Sequence, residues 1–323
     1  MTLSRRALPA LMSLALPGLA QAQAPWPSRP IRFVIPWPPG GLNDLVARAF
    51  NDKVSPILGQ TIVNDFKAGA GGRIGVAEIA RAAPDGYTIG MGNLGPLTIA
   101  PNLYPDMPYD VAKDLAPVMM FAASPLVLVV PASLPVNSLA ELAARAKSMP
   151  GRMNYGSVGV GAPQHLTFEL VAASEQMQLE HIPYRGNADS LIALLGGDIQ
   201  VMFETLPTIL PAIRDGRVKA LAVTTPSRVP QLPDVPTLAE SGHPGLDVTS
   251  WYAVIAPART PAPILDRLYE AYTQVAVMPE MQAFLAQQGL IYLPNTRTNF
   301  AERITAETAR WGRIVRERGI SVN

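Results

Sequence analysis

Two glycine-bearing stretches hold the residues best suited to gripping a small anion. One is Pro36-Trp37-Pro38-Pro39-Gly40-Gly41, with Asn43 and Asp44 just beyond; the other is Gly156-Ser157-Val158-Gly159-Val160-Gly161, followed by His165. Each lies between a predicted strand and a predicted helix. In open α/β sheets ligands sit at the carboxyl ends of strands, near helix N-termini. Exposed N–H groups there attract anions, and glycine lets the backbone approach closely. The same glycines also suit plain tight turns, so each loop has two readings. Arg185, in Pro183-Tyr184-Arg185-Gly186 after a strand, is either a fork for a carboxylate or a solvated surface charge. Glu204, ending the strand expected over Ile199–Phe203, either accepts a ligand hydroxyl or caps the helix near Thr208. Trp37 either covers a ligand with its ring or wedges its loop.

Enzyme chemistry fits less well. Ser157 and His165 raise acyl transfer, yet no G-x-S-x-G elbow surrounds the serine. Ser157 reads better as a hydrogen-bond donor or helix cap, and His165 as a ligand contact or packed polar group in its helix's first turn. Gly90-Met91-Gly92-Asn93-Leu94-Gly95 spells G-x-G-x-x-G after a strand, but Pro96 and a loop-like stretch over 98–108 follow instead of a helix. His165, His181 and His243 lack metal spacing, and cysteine is absent. No P-loop occurs. The reading is a non-enzyme without metal or cofactor.

The elements needed to hold these loops alternate along the chain. Strands are expected over 31–35, 61–65 and 87–91, with helices from about 43 and over 74–81, which argues for a parallel α/β sheet. A second set starts at Leu126–Val130 and continues through a helix over 139–147 and a strand over 153–155. A helix from Pro163, proline at its permitted first position, comes next. Further strands and helices run to Thr224; Pro226–Pro236 reads as a linker back, and a strand and three helices close the chain. The 323 residues suffice for two domains, and 33 prolines punctuate many short loops. Lys plus Arg is 26 against 25 for Asp plus Glu, no excess for a phosphate backbone, so no nucleic-acid partner is expected. Arg5 and Arg6, the apolar Ala7–Leu19 and Ala20-Gln21-Ala22 form the three regions of a secretory signal peptide. The expected division is a cleaved signal peptide at 1–22, a first domain begun at 23–124, a second at 125–224, and a return segment at 225–323 completing the first. The mature chain is expected in the periplasm.

From Pro30 to the last helix the chain resembles the Bug-type periplasmic solute receptors of tripartite tricarboxylate transporters. The strings that carry the likeness are IRFVIPWPPGGLNDLVAR, GAGGRIGVAEIARAAPDGYT, NYGSVGVGAPQHLTFEL, HIPYRGNADSLIALLGGDIQVMF, LAVTTPSR, LPDVPTLAESG and TARW ending at Trp311, in the family's order. The resemblance implies an α/β, two-domain periplasmic-binding-protein (Venus flytrap) fold with a ligand cleft between the domains. It implies a small organic carboxylate as ligand, a di- or tricarboxylate or an aromatic acid, held largely by backbone N–H groups, hydroxyls and waters. Carried over position by position, it places Pro39, Gly40, Gly41, Asp44, Ser157, Gly161 and His165 at or near the ligand, and turns Glu204 and Thr205 toward the cleft. Trp37 stands where phenylalanine is usual, and a basic residue at Arg185 is common. The implied partners are membrane transporter subunits, or a signalling receptor for a sensor with the same cleft, and the expected state is a monomer. An exported Ser157/His165 hydrolase is the remaining alternative.

Overall fold

The computed structural model describes residues 26–184 and 186–321; the expected signal peptide and Arg185 lie outside them. The first lobe opens with β1 (Ile31–Ile35), α1 (Leu42–Leu58), β2 (Ile62–Phe66), α2 (Arg73–Arg81) and β3 (Thr88–Asn93). A π turn over Gly95–Ile99 runs into α3 (Ala100–Leu103), and α4 (Val111–Asp114) leads into β4 (Leu115–Pro131). Then come α5 (Leu139–Ser148), β5 (Asn154–Ser157), α6 (Pro163–Ser174), β6 (Glu180–Pro183), α7 (Asn187–Gly196), β7 (Val201–Thr205), α8 (Leu206–Arg214) and β8 (Val218–Val223). The chain closes with β9 (Thr249–Pro257), α9 (Ala262–Ala276), α10 (Pro279–Gln287) and α11 (Arg297–Glu317).

β4 joins the two lobes. Its first half pairs with β9, in a sheet ordered β2-β1-β3-β9-β4; its second half lies between β7 and β8, and β5 and β6 extend that sheet beyond β7. Almost every residue of this seventeen-residue strand is buried, which fits an unbroken apolar run covered on both faces. The sheets are mixed rather than parallel. β1 pairs in parallel with β2 and β3, and β5 with β6 and β7, but β4 and β9 run antiparallel to all their partners. Alternating strands and helices do not reveal the direction of a strand that crosses between sheets or returns to one.

Two other expectations change. Residues 95–103 are helical, because Pro96 sits near a helix start, where its missing N–H costs nothing. The segment 226–236 is packed rather than free: Val229 and Leu232 share an apolar cluster with Val127 and Val129, and Val223 N–H donates to Pro236 O at 2.9 Å. On the first lobe Phe50, Phe121 and Tyr272 form an aromatic knot, with Phe50 and Phe121 4.8 Å apart. α11 braces both lobes. Asn102 donates to Thr308 O at 2.9 Å, a close approach that Gly312 permits, and Arg318 pairs with Glu169 of α6 at 3.1 Å. Among the described residues no helix is long and apolar enough to cross a membrane.

Candidate functional site

A cavity of about 1030 Å³ lies between the lobes. Five helices begin on its wall: α1 and α2 from the first lobe, α6, α7 and α8 from the second. Their N-cap residues are Gly41, Gly72, Ala162, Gly186 and Thr205, all lining the cavity, and none caps its helix with a side chain. Of the helices that begin elsewhere, α4, α5 and α11 have such caps, from Asp110, Ser138 and Thr296, whereas α9 and α10, begun at Pro261 and Met278, do not. The first N–H groups of a helix have no partner within it, and a side-chain oxygen at the N-cap normally satisfies one. Around this cavity the Arg73 N–H donates to Ala70 O and Pro163 and Pro207 have no N–H, but the other first-turn N–H groups are left for an incoming acceptor. Among the described residues the lining includes no Asp or Glu, and Arg73 is its one formal charge. Helix dipoles and Arg73 therefore all favour a bound anion, each helix end contributing about 0.3–1 kcal/mol when exposed and more when desolvated.

Of the residues singled out from the sequence, Trp37, Pro39, Gly41, Gly161 and Thr205 line the cavity. Trp37 packs over Gly72, where an added Cβ would lie 2.9 Å from the indole, so the ring both wedges its loop and faces the cavity. The rest stand behind the wall and shape it. Gly40, at φ 84, donates its N–H to Asp44 Oδ2 at 2.8 Å, and Arg48 donates to Asp44 Oδ1 at 2.5 Å. The Asp44 charge is thus spent in holding the glycine turn. Arg185 lies outside the described residues.

Ser157 and His165 do not form a pair. Ser157 is 1% exposed, and its Oγ lies 2.9 Å from Gly159 O and 2.7 Å from His181 Nε2 while accepting the Gly159 N–H at 3.2 Å. His165 Nδ1 instead accepts the Gly161 N–H at 3.0 Å. The two imidazoles stack with centroids 3.9 Å apart against Tyr155. Burial lowers both pKa values, that of His181 to about 3, so the stack is neutral at pH 7. These groups brace the loop over 158–161 from behind. Ser157→Ala would leave His181 Nε2 unpaired in a buried site, at a cost of about 1–3 kcal/mol. Urea denaturation should record that loss, and unchanged stability would show that the hydroxyl does not hold the loop.

Glu204 is wholly buried beside the cavity rather than on it. Its Oε1 accepts the Thr205 N–H at 2.6 Å, the Thr205 hydroxyl at 2.9 Å and the Asn187 amide. Its Oε2 has no partner among the described residues. Burial pushes its pKa to about 7, against the pull of these donors. Glu204 thereby sets Thr205 and Asn187, which do line the cavity; neither capping nor direct exposure describes it.

Sequence reasoning missed Arg73, Gln164, Asn187, Ser250 and Tyr252, all on the wall. Three of them, Arg73, Gln164 and Asn187, occupy the first turn of a helix that follows a strand, a position that could have flagged them. Ser250 and Tyr252 belong to β9, whose place depends on the chain's return.

Two α/β lobes sharing a crossing strand, with a cleft walled by helix N-termini, define a solute-binding protein. Similar solved structures agree. A Rhodopseudomonas palustris protein, Rpa4515, solved with adipate, has a TM-score of 0.84 at 33% identity, over 92% of this chain and 99% of its own. MatC of the same organism, solved with malate, has a TM-score of 0.79 at 30% identity, over 90% and 100%. In sequence, protein BugT of Bordetella pertussis is 37% identical over 301 residues, 91% of this chain and 90% of BugT. The profile of the tripartite tricarboxylate transporter family receptor matches residues 46–320, and the chain belongs to that family.

Proposed function

We propose that this protein is a periplasmic receptor that takes a small carboxylate into the interdomain cleft and delivers it to a tripartite tricarboxylate-type membrane transporter. The observation that carries this reading is the set of five helix N-termini, without side-chain caps, around a wall free of acidic residues among those described. A carboxylate placed there accepts backbone N–H bonds directly or through water. Binding between lobes removes water, which strengthens each bond and favours the closed form. A membrane partner that prefers that form would collect only loaded receptor. Likeness to proteins solved with adipate and malate supports a carboxylate, and the family supports the transporter. We place the first domain boundary at the crossing of β4 near 124/125. Because 226–236 packs on the second lobe, we place the return to the first at β9.

The test is thermal denaturation of protein unfolded and refolded to strip carried ligand, against mono-, di- and tricarboxylic and aromatic acids. At a hundredfold excess over Kd, linkage gives ~2.7 kcal/mol, a rise on the order of 5 °C for a chain of this size. No rise with any of these acids would overturn carboxylate binding.

A further inference from the structure

Arg73 is the first residue of α2 and follows the glycine loop over 69–72. Its Nε donates to Ala70 O at 3.0 Å, and its guanidinium lies 3.4 Å over the ring of Tyr104, another cavity residue. These two contacts fix the plane of the group. Ala70 itself takes a positive φ of 49, a conformation rare for a residue with a side chain, and its carbonyl is the one that accepts Nε. The terminal nitrogens make no hydrogen bond among the described residues, and no described carboxylate lies within 4 Å of them. A half-buried arginine held flat on an aromatic face, with its fork free and facing a cavity, is prepared for a planar anion.

The lobes divide the work. The second lobe presents the amide ends of α6, α7 and α8; the first presents Arg73 together with the ends of α1 and α2. Resting on the carboxylate reading above, we propose that Arg73 is a specificity residue for a second anionic group, so that the preferred ligands are dicarboxylates spanning the cleft. One carboxylate docks on the amide ends of the second lobe and the other on the Arg73 fork. A monocarboxylate satisfies one lobe only, whereas a dicarboxylate ties both together and draws the cleft shut.

The experiment is calorimetric titration of the purified protein with succinate through suberate, each beside the monocarboxylate of equal chain length. The wild type should bind its best dicarboxylate roughly tenfold to a hundredfold tighter than the matched monocarboxylate, the range for a charge-assisted bidentate pair. Arg73→Gln, with folding checked by circular dichroism, should erase most of that difference, lowering dicarboxylate affinity far more than monocarboxylate affinity. Arg73→Lys, which keeps the charge and loses the fork, should restore part of it. A dicarboxylate advantage that survives undiminished in Arg73→Gln overturns the proposal, as does an equal loss of affinity for both classes. Monocarboxylates binding the wild type as tightly as dicarboxylates would overturn it and leave the receptor reading standing. Failure of every acid to bind would overturn both.

Discussion

Gly161→Pro should reduce carboxylate affinity at least about a hundredfold while the protein stays folded, since several bonds and the shape of one wall are lost together. Gly161 has φ 77, which proline, locked near −65°, does not reach. Its N–H, which donates to His165 Nδ1, disappears, and with it the tie between the loop and the stacked imidazoles. A side chain there also crosses the cleft: a Cβ on Gly161 would lie 2.1 Å from Leu103 Cδ1, on α3 of the first lobe. The two lobes therefore meet where only a hydrogen atom fits. Gly161→Ala keeps the N–H and costs about 1–2 kcal/mol in left-handed backbone alone, so a smaller loss is expected, on the order of tenfold. Gly40→Pro is the counterpart on the first lobe, where φ is 84 and the lost N–H bond is the one to Asp44. Titration calorimetry with circular dichroism checks all three, and unchanged affinity in both proline variants would show that these two glycine loops do not hold the carboxylate.

That contact explains how much of the site could be read beforehand. The loops are legible because their chemistry is local: a strand, then glycine and proline, then a helix begun at Pro163 where the sequence places it. Which atoms of a loop face the cavity is not local. Ser157, His165, Asp44 and Glu204 have the right chemistry and lie within two residues of the wall, yet each turns inward to fix a neighbour. Arg73 shows the converse. An arginine after a glycine loop carries no mark in sequence, and its role comes from Tyr104, brought beside it by a helix that Pro96 seemed to forbid. The antiparallel course of β4 and β9 was hidden for the same reason. Burial on both faces is written in the apolar run of β4, whereas its direction follows from two lobes sharing one strand.

Glu204 should make the protein lose stability as pH rises through about 7, and Glu204→Gln should abolish that loss. Burial raises the native pKa to about 7, while in the unfolded chain the group titrates near 4.5. Between these values the native state holds a proton that the unfolded state has released. The contribution is therefore fully present below about 4.5 and declines until the native group ionises, by about 3 kcal/mol in total. The physical cause is the position of the side chain. Oε1 takes three donors, while Oε2 is enclosed in the protein with no partner within hydrogen-bond distance among the described residues, so burial penalises the ionised form more than the donors favour it. Glutamine keeps an oxygen for Thr205 and Asn187 and carries no charge at any pH. At pH 8 the variant should accordingly be more stable than the wild type, by up to about 3 kcal/mol, and near pH 4.5 the two should be close. Leucine would be a different experiment, stranding the Asn187 amide and the Thr205 N–H without an acceptor and destabilising at every pH. Urea denaturation of wild type and Glu204→Gln from pH 4.5 to 8 tests the claim, and parallel stability curves for the two proteins would show that Glu204 ionises at the same pH folded and unfolded.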